Sequence, residues 1–191
     1  ESLPTIHYLL KNGAKIIIMS HLGRPNGEVK EDLRLNPIAE RLSSIIKHPI
    51  IKVDDCIGSE VEKTISLMNQ GDILMLENTR FHKEEKENDF MFSKTLASYA
   101  DIFINDAFGT VHREHASTVG VAELLPSYAG FLIEKEIEAL SPLLHEPKKP
   151  LILVMGGAKI DTKIGVIKNY LDKANKILVG GGIANTSIKS R

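Results

Sequence analysis

Apolar residues fall at Leu3, Ile6, Leu9 and Leu10, a helical spacing, and Gly13 suits the position just past a helix end. The run Ile16-Ile17-Ile18-Met19 that follows is short and apolar on both faces, as buried parallel strands are. The alternation then repeats. Asn36-Pro37 predicts a helix start, with Asn36 as the capping side chain and proline at the first helical position. Ile38, Leu42, Ile45 and Ile46 give that helix its apolar face. Ile50 to Val53 reads as a strand, and a helix from Ser59 carries Val61, Ile65 and Met68. Asp72 to Leu76 is a predicted strand, Phe90 to Tyr99 a helix and Asp101 to Asn105 a strand.

A longer helical stretch, Gly130 to His145, has Phe131, Leu132, Ile133, Ile137, Leu140 and Leu144 on its apolar side. Pro142, Pro147 and Pro150 crowd Ser141 to Pro150, the best linker candidate. Beyond it come a strand at Leu151 to Met155, a helix at Thr162 to Leu171 and a strand at Lys176 to Val179. Strands alternating with helices imply an α/β fold: a parallel sheet flanked by helices, Rossmann-like and three-layered. A second, similar α/β domain begins after the prolines. The expected division is residues 1–130, an interdomain helix and hinge at 131–150, and 151–191.

Composition narrows the functional classes. The 191 residues are 42% apolar and 26% charged, ordinary for a globular protein, with a formal net charge of −1. That balance gives no broad basic field for nucleic acid, so anion binding must come from local clusters. The single cysteine, Cys56, excludes an internal disulfide and fits a reducing compartment such as the cytoplasm. The apolar runs are strand-sized, which argues against a membrane partner. The chain opens without methionine, in what reads as the middle of a helix, and is expected to be a fragment.

The polar, glycine-bearing segments fall at the carboxyl ends of the predicted strands, where open α/β sheets bind ligands. They are Ser20 to Pro25, Glu77 to His82, Asn105 to His115, and Gly156-Gly157-Ala158-Lys159 with Lys163 four residues on. Arg24, Arg80 and Arg113 arrive on three strand ends of one domain. A lone arginine is more often a surface residue, but three guanidinium forks at one sheet edge suit phosphate and carboxylate oxygens. His21, His112 and His115 could suggest a metal, yet there is no HExxH motif and the cations among them favour anions. His21 and His112 then read as hydrogen-bond donors to anionic oxygens. Gly156-Gly157-Ala158-Lys159 is neither a Walker loop nor a dinucleotide fingerprint, though its glycines allow close approach to phosphate. Gly180-Gly181-Gly182 is a second such point. The charged stretch Lys83 to Asp89 reads as a solvated loop.

These segments, with Phe131 to Glu136, resemble in order and spacing the signature segments of the phosphoglycerate kinases, over essentially the whole chain. The resemblance implies an enzyme that moves a phosphoryl group between 1,3-bisphosphoglycerate and ADP, giving 3-phosphoglycerate and ATP with Mg²⁺. It implies a monomer whose first domain holds the glycerate and whose second holds the nucleotide, joined by a hinge at Gly130 to Pro150. Carried over by position, His21, Leu22, Gly23, Arg24, Arg80, His112 and Arg113 would bind substrate. Arg113, Lys159 and Lys163 would act in transfer, and Gly157, Lys163, Gly181 and Gly182 would line the nucleotide site. The family's opening substrate strand and most of its second domain have no counterpart here, so this stretch alone is expected to be inactive. Two alternatives stand beside the enzyme: a non-catalytic phosphoglycerate-binding module, and a different α/β enzyme for sugar phosphates.

Overall fold

The computed structural model describes residues 1–157 and 163–184. They form two compact units, Glu1–Glu136 and Ile137–Arg191. The first contains α1 (Leu3–Lys11), β1 (Ile16–Ile18), α2 (Asn36–Ile46), β2 (Ile51–Lys52), α3 (Ser59–Leu67) and β3 (Ile73–Met75). It continues through α4 (Glu84–Glu87), α5 (Phe90–Ala97), β4 (Phe103–Asn105), α6 (Val121–Leu124) and β5 (Ser127–Ala129), and α7 (Phe131–Leu144) begins in it. The second contains β6 (Ile152–Met155), α8 (Ile164–Tyr170) and β7 (Lys176–Val179).

Every strand pairing among the described residues is parallel. β3 lies between β1 and β2, with Ile17 and Ile51 both opposite Leu74. β4 pairs with β5, and β6 with β7. The side-chain period of two sends adjacent β3 residues to opposite faces, which builds the layers. Leu74 and Leu76 join Val61 and Met68 of the α3 region and Phe92 and Leu96 of α5 in one core. Met75 packs on the other face with Leu35, Ala39 and Leu42 around α2. β3 is buried along its whole length, which explains its uninterrupted apolar run.

Four readings of the sequence need correction. Asn36 does not cap α2: it lies within the helix, Leu35 holds the cap position, and no side chain caps it. The apolar face of α2 is set by Leu35, Ala39 and Leu42, spaced four and three apart, so Ile38 and Ile45 flank it and stay exposed. The proposed linker begins too early, because α7 carries Pro142 inside it and runs on to Leu144; proline removes one amide donor there without ending the helix. Lys83 to Asp89 is not merely a solvated loop. It folds as α4, and Glu85 within it is 1% exposed. Thr162, the expected start of α8, lies outside the described residues.

Candidate functional site

The turns after β1, β3 and β4 build one site in the first unit. The turn after β1 reverses at Gly23, whose φ of 65° is left-handed and favours glycine. A Cβ there would also lie 2.8 Å from Leu33 Cδ2. This turn directs the Gly23 carbonyl to Arg80, whose Nη1 donates to it at 3.0 Å. Leu22 is likewise committed: its side chain packs against the α2 core, and its carbonyl accepts from Asn78 Nδ2 at 2.8 Å.

Asn78 and Glu77 are the fixings of the site. Fully buried Asn78 also donates to the Leu33 carbonyl at 3.0 Å and accepts from the Arg80 amide at 3.1 Å, so one amide ties two points of the β1–α2 connection to the turn after β3. Glu77, 1% exposed, accepts from the amides of Leu35 (2.9 Å) and Asn78 (2.8 Å) and pairs with Lys52 (2.9 Å) and Arg34 (3.1 Å). Burial alone would raise its pKa, but the bonds from Leu35, Lys52 and Asn78 prevail and hold the carboxyl below its ordinary value.

Above this base, Arg24, Arg80 and Arg113 meet, with Pro25, Asn26 and Lys86, around a cavity of about 180 Å³. Arg80 is only 6% exposed, and its Nε and Nη2 are buried with no hydrogen-bond partner among the described residues. Arg113 Nε is in the same state. Buried donors left unpaired are costly, more so when charged, and an anion's oxygens would satisfy them. Burial first, then Arg113 and Arg24, hold the Arg80 guanidinium below its usual pKa, against the pull of Glu85. Cations crowded in this way favour a multiply charged anion.

His21 stands within the field of these arginines. Burial, then Arg80, Arg113 and His115, lower its pKa to about 4, so it is neutral at pH 7 and adds no positive charge. Its folded value lies below the unfolded one of about 6.5. The stability it supports is therefore present above about pH 6.5 and is lost as pH falls through about 4. An NMR titration of free full-length protein should find the His21 ring neutral at pH 5.5, and a bound anion should raise its pKa. A free value near 6.5 would contradict this geometry.

The loop after β4 is braced from behind. Thr118 Oγ1 donates to the Arg113 carbonyl at 2.6 Å. Ser117 donates to Glu85 through both its amide (2.9 Å) and its hydroxyl (2.6 Å). His115 Nδ1 lies 3.6 Å from Glu85, and burial, the largest influence, depresses its pKa. His112 is exposed and is not among the cavity-lining residues.

Among the described residues, the His, Cys and carboxylate groups that could share a metal are Asp55, Cys56 and His82, none of them a histidine singled out in the sequence. There Cys56 Sγ donates to the Glu77 carbonyl at 3.0 Å, and burial raises the thiol's pKa well above its usual value. Cys56 is a structural donor.

In the second unit, Gly157 and Gly181 have φ of 136° and 62° and lie side by side: a Cβ on Gly181 would sit 3.6 Å from Gly157 N. A Cβ on Gly157 would meet Lys163 Cε at 3.2 Å, so Lys163 stands against this glycine seat, with Gly182 next in the chain. Lys163 immediately precedes α8 and lines an open cleft with Met155, Gly156 and Val166. Lys159 lies outside the described residues.

Sequence reasoning missed Glu77 and Asn78 as fixings, and Glu85 and Lys86 altogether. Glu77 carried one signal, an acidic residue continuing the apolar run Ile73 to Leu76. Nothing in the charged run marked Glu85 as inward.

Taken together, the geometry defines an α/β protein with a cavity at the carboxyl ends of parallel strands whose cationic lining suits a small polyanion. The phosphoglycerate kinase family model matches residues 1–191. Phosphoglycerate kinase of Moorella thermoacetica is 53% identical over 190 residues, covering all of this chain and 48% of that protein. The chloroplastic enzyme of Chlamydomonas reinhardtii is 50% identical over 191 residues, which are 41% of its length. Among solved structures, phosphoglycerate kinase from Pyrococcus horikoshii OT3 matches 99% of this chain and 49% of its own, with a TM-score of 0.86 at 36% identity. That from Coxiella burnetii gives a TM-score of 0.82 at 41% identity, covering 99% of this chain and 47% of its own. The chain belongs to the phosphoglycerate kinase family. It spans about half the length of the curated relatives it matches.

Proposed function

We propose that the whole protein transfers a phosphoryl group reversibly from 1,3-bisphosphoglycerate to ADP, giving 3-phosphoglycerate and ATP. The observation that carries this reading is the set of unpaired buried guanidinium nitrogens on Arg80 and Arg113 beside the cavity. Arg24, Arg80 and Arg113 would hold the phosphate and carboxyl oxygens of the glycerate, with neutral His21 hydrogen bonding beside them. His112, exposed on the same loop, would reach the ligand only as it binds. Leu22 and Gly23 would serve through the turn they form, since their carbonyls are already engaged.

Lys163, Gly157, Gly181 and Gly182 would receive the nucleotide phosphates, and Lys159 would neutralise the migrating group. The bond broken joins the acyl oxygen to phosphorus, and the new bond forms from a β-phosphate oxygen of ADP. Such transfer requires alignment and charge neutralisation more than covalent help from the protein. Mg²⁺ bound to the nucleotide would add neutralising charge. Water must be kept from the acyl phosphate, which calls for the two domains to close on a hinge within residues 131–150. No described helix is long and apolar enough to cross a membrane, and the lone buried thiol is compatible with the cytoplasm.

A coupled assay on the full-length protein tests the proposal: ATP- and 3-phosphoglycerate-dependent turnover is expected. Binding of 3-phosphoglycerate without turnover would favour the non-catalytic module instead.

A further inference from the structure

We propose that Lys86 is a fourth cationic ligand of the anion cavity, delivered to it by the buried Glu85 beside it. The inference rests on the reading of this cavity as the phosphoglycerate seat. Lys86 lines the cavity with the three arginines, although α4 comes from a run whose sequence suggests only solvation.

α4 is held from two sides. Its N-cap residue Lys83 packs against the turn after β1, where a Cβ on Gly27 would lie 3.0 Å from Lys83 Cβ, and the Gly27 amide donates to the Arg80 carbonyl at 3.2 Å. On the other side Glu85 receives both Ser117 donors, in the segment that follows Arg113. The helix ends at Asn88, whose φ of 53° is left-handed, and the Asp89 amide closes back on the Glu84 carbonyl at 3.1 Å. One turn of helix thus bridges the loops of Arg24 and Arg113. The next side chain after the anchored carboxylate is the lysine at the cavity.

The charge pattern agrees. Lys86 acts with Arg80 and Arg113 to disfavour the protonated form of His115, so its ammonium contributes to the same positive field. Among the described residues Lys86 takes part in no salt bridge. A flexible, exposed ammonium on a fixed stem can follow an anion's oxygens where the buried Arg80 fork cannot.

The test is calorimetric titration of 3-phosphoglycerate into full-length protein at two ionic strengths. Lys86→Met should weaken binding about 3- to 10-fold and make it less sensitive to salt, the effect of one partly screened charge contact. Lys86→Arg should retain most of the affinity. Lys94→Met, at an exposed position of α5 outside the cavity lining, should bind as wild type and controls for net charge. If Lys86→Met binds as wild type, or Lys94→Met weakens binding equally, the proposal is wrong while the cavity reading stands. If wild type gives no heat, or Arg113→Ala binds like wild type, the cavity reading fails and this inference falls with it.

Discussion

Replacing Arg113 by alanine in the full-length protein is expected to lower kcat/KM for 3-phosphoglycerate about 10²- to 10³-fold. A charge-assisted hydrogen bond contributes about 1.5–3 kcal/mol, and a guanidinium can make two to one oxyanion. Arg113 has a buried Nε with no partner and lines the cavity directly. Its loss removes ligand contacts without leaving an acceptor stranded. Steady-state kinetics at saturating ATP, with a melting curve to confirm folding, provide the measurement. A loss below about threefold would remove Arg113 from the site, since each 1.4 kcal/mol is tenfold.

Replacing Glu77 by glutamine should act on stability instead. The carboxylate is buried beneath the cavity and pairs with Lys52, whose side chain is 10% exposed, and with Arg34. Removing one partner of a buried pair leaves an uncompensated charge and costs about 3–5 kcal/mol. Hydrogen exchange at the amides of β3 is the suitable probe, because it reports this core without requiring the units to unfold together. The acid limb gives a second reading. Glu77's folded pKa lies below its unfolded one, so its stabilisation is present above about pH 4.3 and is lost as pH falls through the folded value. The glutamine variant should therefore lose less further protection on acidification than wild type. Unchanged exchange at β3 would show that Lys52 and Arg34 find other partners at no cost.

The layers of the fold were legible because β1 and β3 are apolar on both faces, a pattern that buried parallel strands share with few other elements. The cavity was legible because three arginines follow three strands, and strand ends converge whatever the details of the loops. The α2 face was misjudged for a geometric reason: Ile38 and Ile45 obey a helical period, but one set by Leu35, Ala39 and Leu42 takes the core. Charged α4 was opaque because burial of Glu85 depends on Ser117, 32 residues away in sequence. Local composition carries no trace of such a pairing. The same holds for Asn78, whose contacts with Leu22 and Leu33 exist only once β1 and β3 are side by side.

Under the proposed function the arginine cavity of the first unit is the phosphoglycerate seat. Its most direct test is a diffraction structure of the full-length protein with 3-phosphoglycerate. Ligand oxygens are expected about 3 Å from the guanidinium nitrogens of both Arg80 and Arg113, occupying the donors that lack partners among the described residues. Ligand bound elsewhere, with those nitrogens still unpaired, would contradict it.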